Sequence, residues 1–125
     1  MQRMLVTGSR EWKDYGTIYD VMSEYGPHQL IHGGARGADS HAHHIAMELG
    51  WPEPIVVRPR YDLYPSNKAP LIRNVEMVEM LEPGDVVLAF PIHKRSGTWN
   101  CIKAAQMHGF DVRVYKDNGW LCESG

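Results

Sequence analysis

Phe90-Pro91-Ile92-His93-Lys94-Arg95-Ser96-Gly97-Thr98-Trp99 joins two segments of different period. Before it, Asp85-Val86-Val87-Leu88-Ala89-Phe90 is a short apolar run, the pattern of a strand buried on both faces. After it, residues 98–108 carry apolar side chains at helical spacing. The joining loop holds a proline, basic residues and Ser-Gly-Thr at the helix mouth. A helix N-terminus offers unpaired N–H groups and partial positive charge. Gly97 lets an anion approach the backbone, and Ser96 and Thr98 add hydroxyl donors. The segment reads as a phosphate cradle. The plainer alternative is a helix capped by Ser96 or Thr98 behind an ordinary loop.

The same alternation extends outward from this stretch. Residues 3–7 form an apolar, β-branched strand that ends in Gly8-Ser9-Arg10. Asp14 is placed to cap a helix running to about Tyr25, which Gly26-Pro27 stops. Residues 29–32 give a second strand, and Gly33-Gly34-Ala35-Arg36-Gly37-Ala38-Asp39 opens a helix to Leu49. Residues 54–58 give a third strand, followed by an irregular loop over 59–70 and a helix over 71–81. Residues 85–90 are the fourth strand and 111–115 the fifth, with a polar, loose tail over 116–125 in which Trp120 and Leu121 are placed to dock. Strands and helices in alternation with short connections predict one α/β Rossmann-like domain over residues 1–125: a five-stranded parallel sheet, order 3-2-1-4-5, with helices on both faces. The chain reverses direction between the first and fourth strands, and ligands of such sheets bind beyond the strand C-termini at that switch.

A length of 125 residues suits one core and is too short for two. Apolar residues make up 43% and charged ones 22%, as in ordinary globular domains. The apolar runs are too short to span a membrane, and the N-terminus enters a strand pattern without the h-region of a signal peptide. Cys101 and Cys122 read as free thiols, so a cytoplasmic location is expected. The net charge of −2 supplies no global basic field for nucleic acid.

Local charge is segregated all the same. Arg10 follows the first strand, Arg36 the second, Arg58 and Arg60 the third, Lys94 and Arg95 the fourth. That places a cation in each crossover loop at the ligand edge, which points to an anionic ligand. Gly8, Ser9 and Arg10 line one wall; Gly33, Gly34, Arg36 and Gly37 face them; Ser96, Gly97 and Thr98 complete the phosphate site. The glycines match neither G-x-G-x-x-G nor a P-loop, which disfavours a standard dehydrogenase or NTPase.

Four motifs in this order, Val6-Thr7-Gly8-Ser9-Arg10-Glu11-Trp12, His32-Gly33-Gly34-Ala35-Arg36-Gly37-Ala38-Asp39, Arg73-Asn74-Val75-Glu76-Met77 and Phe90-Pro91 with Ser96-Gly97-Thr98, resemble the YspA/YpsA-related branch of the SLOG (SMF/DprA–LOG) superfamily. The resemblance covers nearly the whole chain. It implies a Rossmann-like sheet that binds nucleotides or nucleotide-derived ligands, in bacterial or phage sensors and processing enzymes. It also implies a homo-oligomer. The similar LOG phosphoribohydrolases carry R-K-x-x-M and P-G-G-x-G-T-x-x-E. Here Asn74 stands for the lysine, and Cys101 stands where LOG has its catalytic glutamate. A thiol does not replace a carboxylate beside an oxocarbenium-like centre.

The expected function is therefore binding of a nucleotide or nucleotide-derived phosphate ligand, as sensor or processing protein. The alternatives are a LOG-like nucleotide N-glycosidase and a DprA-like single-stranded DNA-binding module. For catalysis the candidates are Arg73 as phosphate or ribose clamp, with Asp39 and Glu76 as acid–base groups. Asp39 also has a plainer role beside a helix dipole. Trp12 and Trp99 are candidate stacking planes, with core packing the commoner use of tryptophan; Tyr61 and Tyr64 are further stacking candidates in the long loop. His41, His43 and His44 share a helix but do not converge, so no metal and no resident cofactor is expected.

Overall fold

In the computed structural model, residues 1–94 and 96–117 are described in full and 121–123 by their backbone. The elements run β1 (Arg3–Gly8), α1 (Tyr15–Ser23), β2 (Gln29–His32), α2 (Ala38–Glu48), β3 (Ile55–Val56), α3 (Ala69–Glu79), β4 (Val86–Phe90), α4 (Gly97–Met107), β5 (Val112–Tyr115) and β6 (Leu121–Glu123). The sheet order is β3-β2-β1-β4-β5-β6, and its first five strands are parallel, in the expected 3-2-1-4-5 arrangement.

Successive strand residues point to opposite faces. Met4, Val6, Leu30, Leu88 and Phe90 pack on one side against Ile18 and Met22 of α1 and Ala42, Ile45 and Ala46 of α2. Leu5, Ile31, Val87, Ala89, Val112 and Val114 pack on the other against Met77 and Val78 of α3 and Cys101, Ile102 and Ala105 of α4. The continuous apolar runs of β1 and β4 are thus consumed by two helical layers.

Local chemistry fixes the ends. Asp14 caps α1 by accepting the Thr17 N–H at 3.0 Å. α3 starts two residues earlier than its apolar pattern, because Pro70 occupies the first turn, where a missing N–H costs nothing. β3 is two residues rather than five. It is an edge strand bracketed by Pro54 and Pro59, neither of which can donate to a ladder. A sixth strand from the tail adds to the five parallel strands. Leu121–Glu123 pairs antiparallel with β5 and covers an edge that would otherwise stand open. Trp120 lies outside the described residues.

Candidate functional site

β1 and β4 pair in register from Met4↔Val86 to Gly8↔Phe90, so both strands end together. The helices that follow them leave on opposite faces of the sheet. A cleft of about 370 Å³ opens at this point. Its walls are Thr7, Gly8, Ser9, Arg10 and Glu11 after β1, and Ala35 and Asp39 from the α2 entry. Pro70, Arg73, Asn74 and Met77 come from α3, and His93, Ser96, Gly97 and Thr98 from the β4–α4 connection.

The mouth of α4 is the cleft's anion-attracting end. Ser96 is extended at the N-cap position, yet its side chain makes no capping bond. The plainer capping role expected for it is therefore not realised. The first backbone bond of the helix runs from Asn100 N–H to the Ser96 carbonyl at 3.2 Å, and among the described residues no side chain caps the N–H groups of the first turn. Thr98 is buried and Gly97 exposed at that opening.

Opposite lies Asp39, 5% exposed. Its Oδ2 accepts the N–H groups of Gly33 at 3.0 Å and Ala35 at 3.3 Å, which closes the glycine-rich turn onto α2. Burial pushes its carboxyl up to about 6; those two N–H groups and the charges of Arg73 and Arg10 oppose the rise. Arg73 donates from Nη1 to the Gly33 carbonyl at 2.6 Å and from Nε to Asn74 Oδ1 at 3.0 Å. Its burial lowers its pKa, and nearby Asp39 raises it.

The glycine-rich turn is built differently from the expectation. A Cβ on Gly33 would lie 2.3 Å from Arg73 Nη1, so the missing side chain makes room for the protein's own guanidinium. Gly33, Gly34, Arg36 and Gly37 do not line the cleft; that turn contributes Ala35 and Asp39 instead. Arg36 points to solvent. Glu76 is exposed, outside the cleft lining, where its charge acts on Arg60. Arg60 is already paired with Asp62 at 2.8 Å. Trp12 is a core residue: 1% exposed, edge-on to Phe90 at 5.3 Å, with its indole N–H donated to the Asp14 carbonyl. Trp99 lines a neighbouring hollow with Lys94 and Lys116 rather than the cleft. Tyr61 and Tyr64 are exposed and outside the cleft lining. Arg95 lies outside the described residues. Cys101 is sealed in the core, and burial pushes its thiol up to about 11. The position of the LOG glutamate therefore carries a neutral, enclosed group.

Three residues, Asn74, Glu11 and His93, were not among the site residues expected from sequence. Asn74, 3% exposed, donates from Nδ2 to the Gly97 carbonyl at 3.2 Å and to Asn100 Oδ1 at 3.0 Å, tying α3 to the mouth of α4. Asn74→Ala removes both bonds and leaves the Arg73 Nε donor unmatched. A loss of about 1–3 kcal/mol is expected in urea denaturation. Glu11 and His93 meet at 2.8 Å across the two loops, on the exposed rim. The signal for Asn74 was its departure from the LOG lysine; nothing local marked Glu11 or His93.

A parallel α/β sheet with a cleft of mixed charge at its topological switch defines a Rossmann-like protein. The chain belongs to the YspA, cpYpsA-related SLOG family, which matches residues 2–64. It is also 40% identical over 129 residues to the Gene 61 protein of Mycobacterium phage D29, an alignment covering 94% of this chain and 98% of that protein. No solved structure matches it significantly. Membership of this family points to a nucleotide-related function. Among the described residues no helix is long and apolar enough to cross a membrane, and no group of three or more His, Cys, Asp or Glu side chains is arranged to hold a metal ion.

Proposed function

We propose that the protein binds a nucleotide or nucleotide-derived phosphate ligand in the β1–β4 cleft, as a sensor or processing protein. The observation that carries this reading is the uncapped α4 N-terminus opening onto Thr98, with the Arg10 and Arg73 side chains in the same cleft. Phosphate takes the N–H groups of the first turn and the Thr98 hydroxyl, and the guanidinium groups neutralise its charge. Pro70 and Met77 supply an apolar wall for the rest of the ligand. Sites of this kind are mostly apolar, with a few polar groups that fix orientation. The same reading keeps the homo-oligomer implied by the family resemblance, which light scattering measures.

The test is a thermal-shift screen with AMP, ADP, ATP, NAD, ADP-ribose, ribose 5-phosphate and a short single-stranded oligonucleotide. A ligand at 100 times its dissociation constant stabilises the fold by about 2.7 kcal/mol. Thr98→Val keeps the shape and deletes one hydroxyl, so about 10- to 100-fold weaker binding is expected. A shift from the oligonucleotide alone would replace this reading with the DNA-binding one.

A second reading, hydrolysis of an N-glycosidic bond, is favoured by one observation. Asp39 is a cleft carboxyl whose proton is held towards neutral pH, as a general acid requires. Base release from a bound nucleotide, followed by chromatography and lost in Asp39→Asn, is the expected result. No release from wild-type protein would leave binding without hydrolysis.

A further inference from the structure

A second hollow, of about 230 Å³, lies on the other side of the glycine-rich turn and, among the described residues, shares only Ala35 with the cleft. Ser40, His43 and His44 line it from α2, at the three- and four-residue spacing that puts side chains on one helical face. His32, at the end of β2, and Arg58, beyond β3, complete it. The long helix thus turns His43 and His44 here, while His41 faces away and bonds the Trp12 carbonyl at 3.0 Å.

The hydrogen bonds in the hollow fix where its protons sit. His32 Nδ1 accepts the Gly34 N–H at 3.0 Å, so it carries no proton. Its Nε2 then holds the hydrogen and donates to His43 Nδ1 at 2.8 Å. His32 is 3% exposed, and burial pushes its pKa down to about 4, which keeps the ring neutral as this chain requires. His43 Nδ1 is thereby committed as acceptor, and the proton of His43 is on Nε2. Arg58 is anchored by one bond, Nη1 to the Gly34 carbonyl at 3.2 Å. The other guanidinium donors are not needed for that bond. Among the described residues no carboxylate lines the hollow. Its edge therefore offers donors from Arg58, His43 and Ser40, and among the described residues no carboxylate is paired with the guanidinium.

From this arrangement we infer that the Ser40–His43–His44–Arg58 hollow is a phosphate-binding site, separate from the β1–β4 cleft. Phosphate accepts from the Arg58 guanidinium, the His43 Nε2–H and the Ser40 hydroxyl, with His44 at its rim. The site stands whether or not the cleft binds nucleotide.

Imidazole ¹H–¹⁵N spectra of the full chain, titrated with inorganic phosphate at constant ionic strength, test it directly. Saturable shifts of the His43 and His44 signals are expected, with a dissociation constant of roughly millimolar or tighter. Ser40→Ala and Arg58→Ala should each weaken binding about tenfold or more, and Thr98→Val should leave it unchanged. Because Arg58 also holds the turn, Ser40→Ala is the deciding variant where Arg58→Ala disturbs the spectrum as a whole. Phosphate that leaves both signals unmoved, or moves them equally in the Ser40→Ala protein, would overturn the assignment. So would a response confined to a divalent metal ion, which would make the histidines ligands instead. Failure of the nucleotide screen with these shifts present would sink the cleft reading alone.

Discussion

Gly37→Ala is expected to destabilise the protein by about 2–6 kcal/mol, a large share of the roughly 5–15 kcal/mol that holds a domain together. Two costs act together. Gly37 sits at φ 75° and ψ −128°, a conformation that L side chains rarely adopt and that costs about 1–3 kcal/mol. An added Cβ would also lie 2.4 Å from the Ser9 carbonyl oxygen and 2.5 Å from that of Arg10. These are backbone atoms of the loop after β1, and that loop is tied down: the Ser9 carbonyl accepts from Trp12 and Ala38, and the Ser9 N–H donates to Phe90. Relief therefore requires moving the cleft wall, with an overpacking cost of about 1–3 kcal/mol. Gly50→Ala is the control. Gly50 has φ 73° but open space around it, so only the conformational cost applies, about 1–2 kcal/mol. Urea denaturation of the two variants should separate by the difference. Equal losses would show that the close approach to the Ser9 loop carries no energy.

This position shows where reading the sequence succeeds and where it stops. The continuous apolar runs Met4-Leu5-Val6 and Val87-Leu88-Ala89, in a chain where strands alternate with helices, were enough to predict a sheet covered on both faces. That pattern is local, and the strand order follows from connection rules. Ser9, Arg10, Asp39, Arg73, Gly97 and Thr98, expected near the switch point, line one cleft there. The role of the glycine-rich turn was not legible in the same way. A glycine that admits a ligand and one that admits an arginine 40 positions away look the same in sequence, and Gly33 with Arg73 is the second kind. Asn74 and Glu76 sit two residues apart on α3, so they project some 200° apart. The helix buries Asn74 beside Met77 and Val78 and turns Glu76 to solvent. The apolar spacing of Met77 and Val78 marks that inner face. It could not show that an asparagine shares it, because the partners that satisfy Asn74, Gly97 and Asn100, belong to another helix. Trp12 went to the core for a similar reason: its indole N–H finds the Asp14 carbonyl two residues on, so nothing polar holds it at the cleft.

Asp39 has the opposite sign of effect from Gly37, and its size depends on pH. The folded protein holds its proton up to about 6, whereas 3.8 is the ordinary value for the unfolded chain. Between those values the folded state keeps a proton that the unfolded state has lost. Stability contributed by this group is therefore fully present below about 3.8 and is lost as pH rises through about 6. Two units correspond to roughly 3 kcal/mol. Asp39→Asn keeps an oxygen to accept the Gly33 and Ala35 N–H groups, since both bonds go to Oδ2 alone. It removes the buried charge. At neutral pH the variant should match or exceed the wild type, by up to about 3 kcal/mol. The wild-type-minus-variant difference should shrink towards acid pH. That difference isolates Asp39 from Asp14 and Asp62, whose lowered pKa values give the reverse trend in both proteins. Asp39→Ala lacks the acceptor and should fall below Asp39→Asn by about 1–3 kcal/mol for each N–H left unpaired. A difference that stays constant from pH 4 to 7 would show that Asp39 ionises as freely in the fold as outside it. Gain of stability in Asp39→Asn, with loss of base release, would mean that the fold carries a destabilising carboxylate because the cleft uses it.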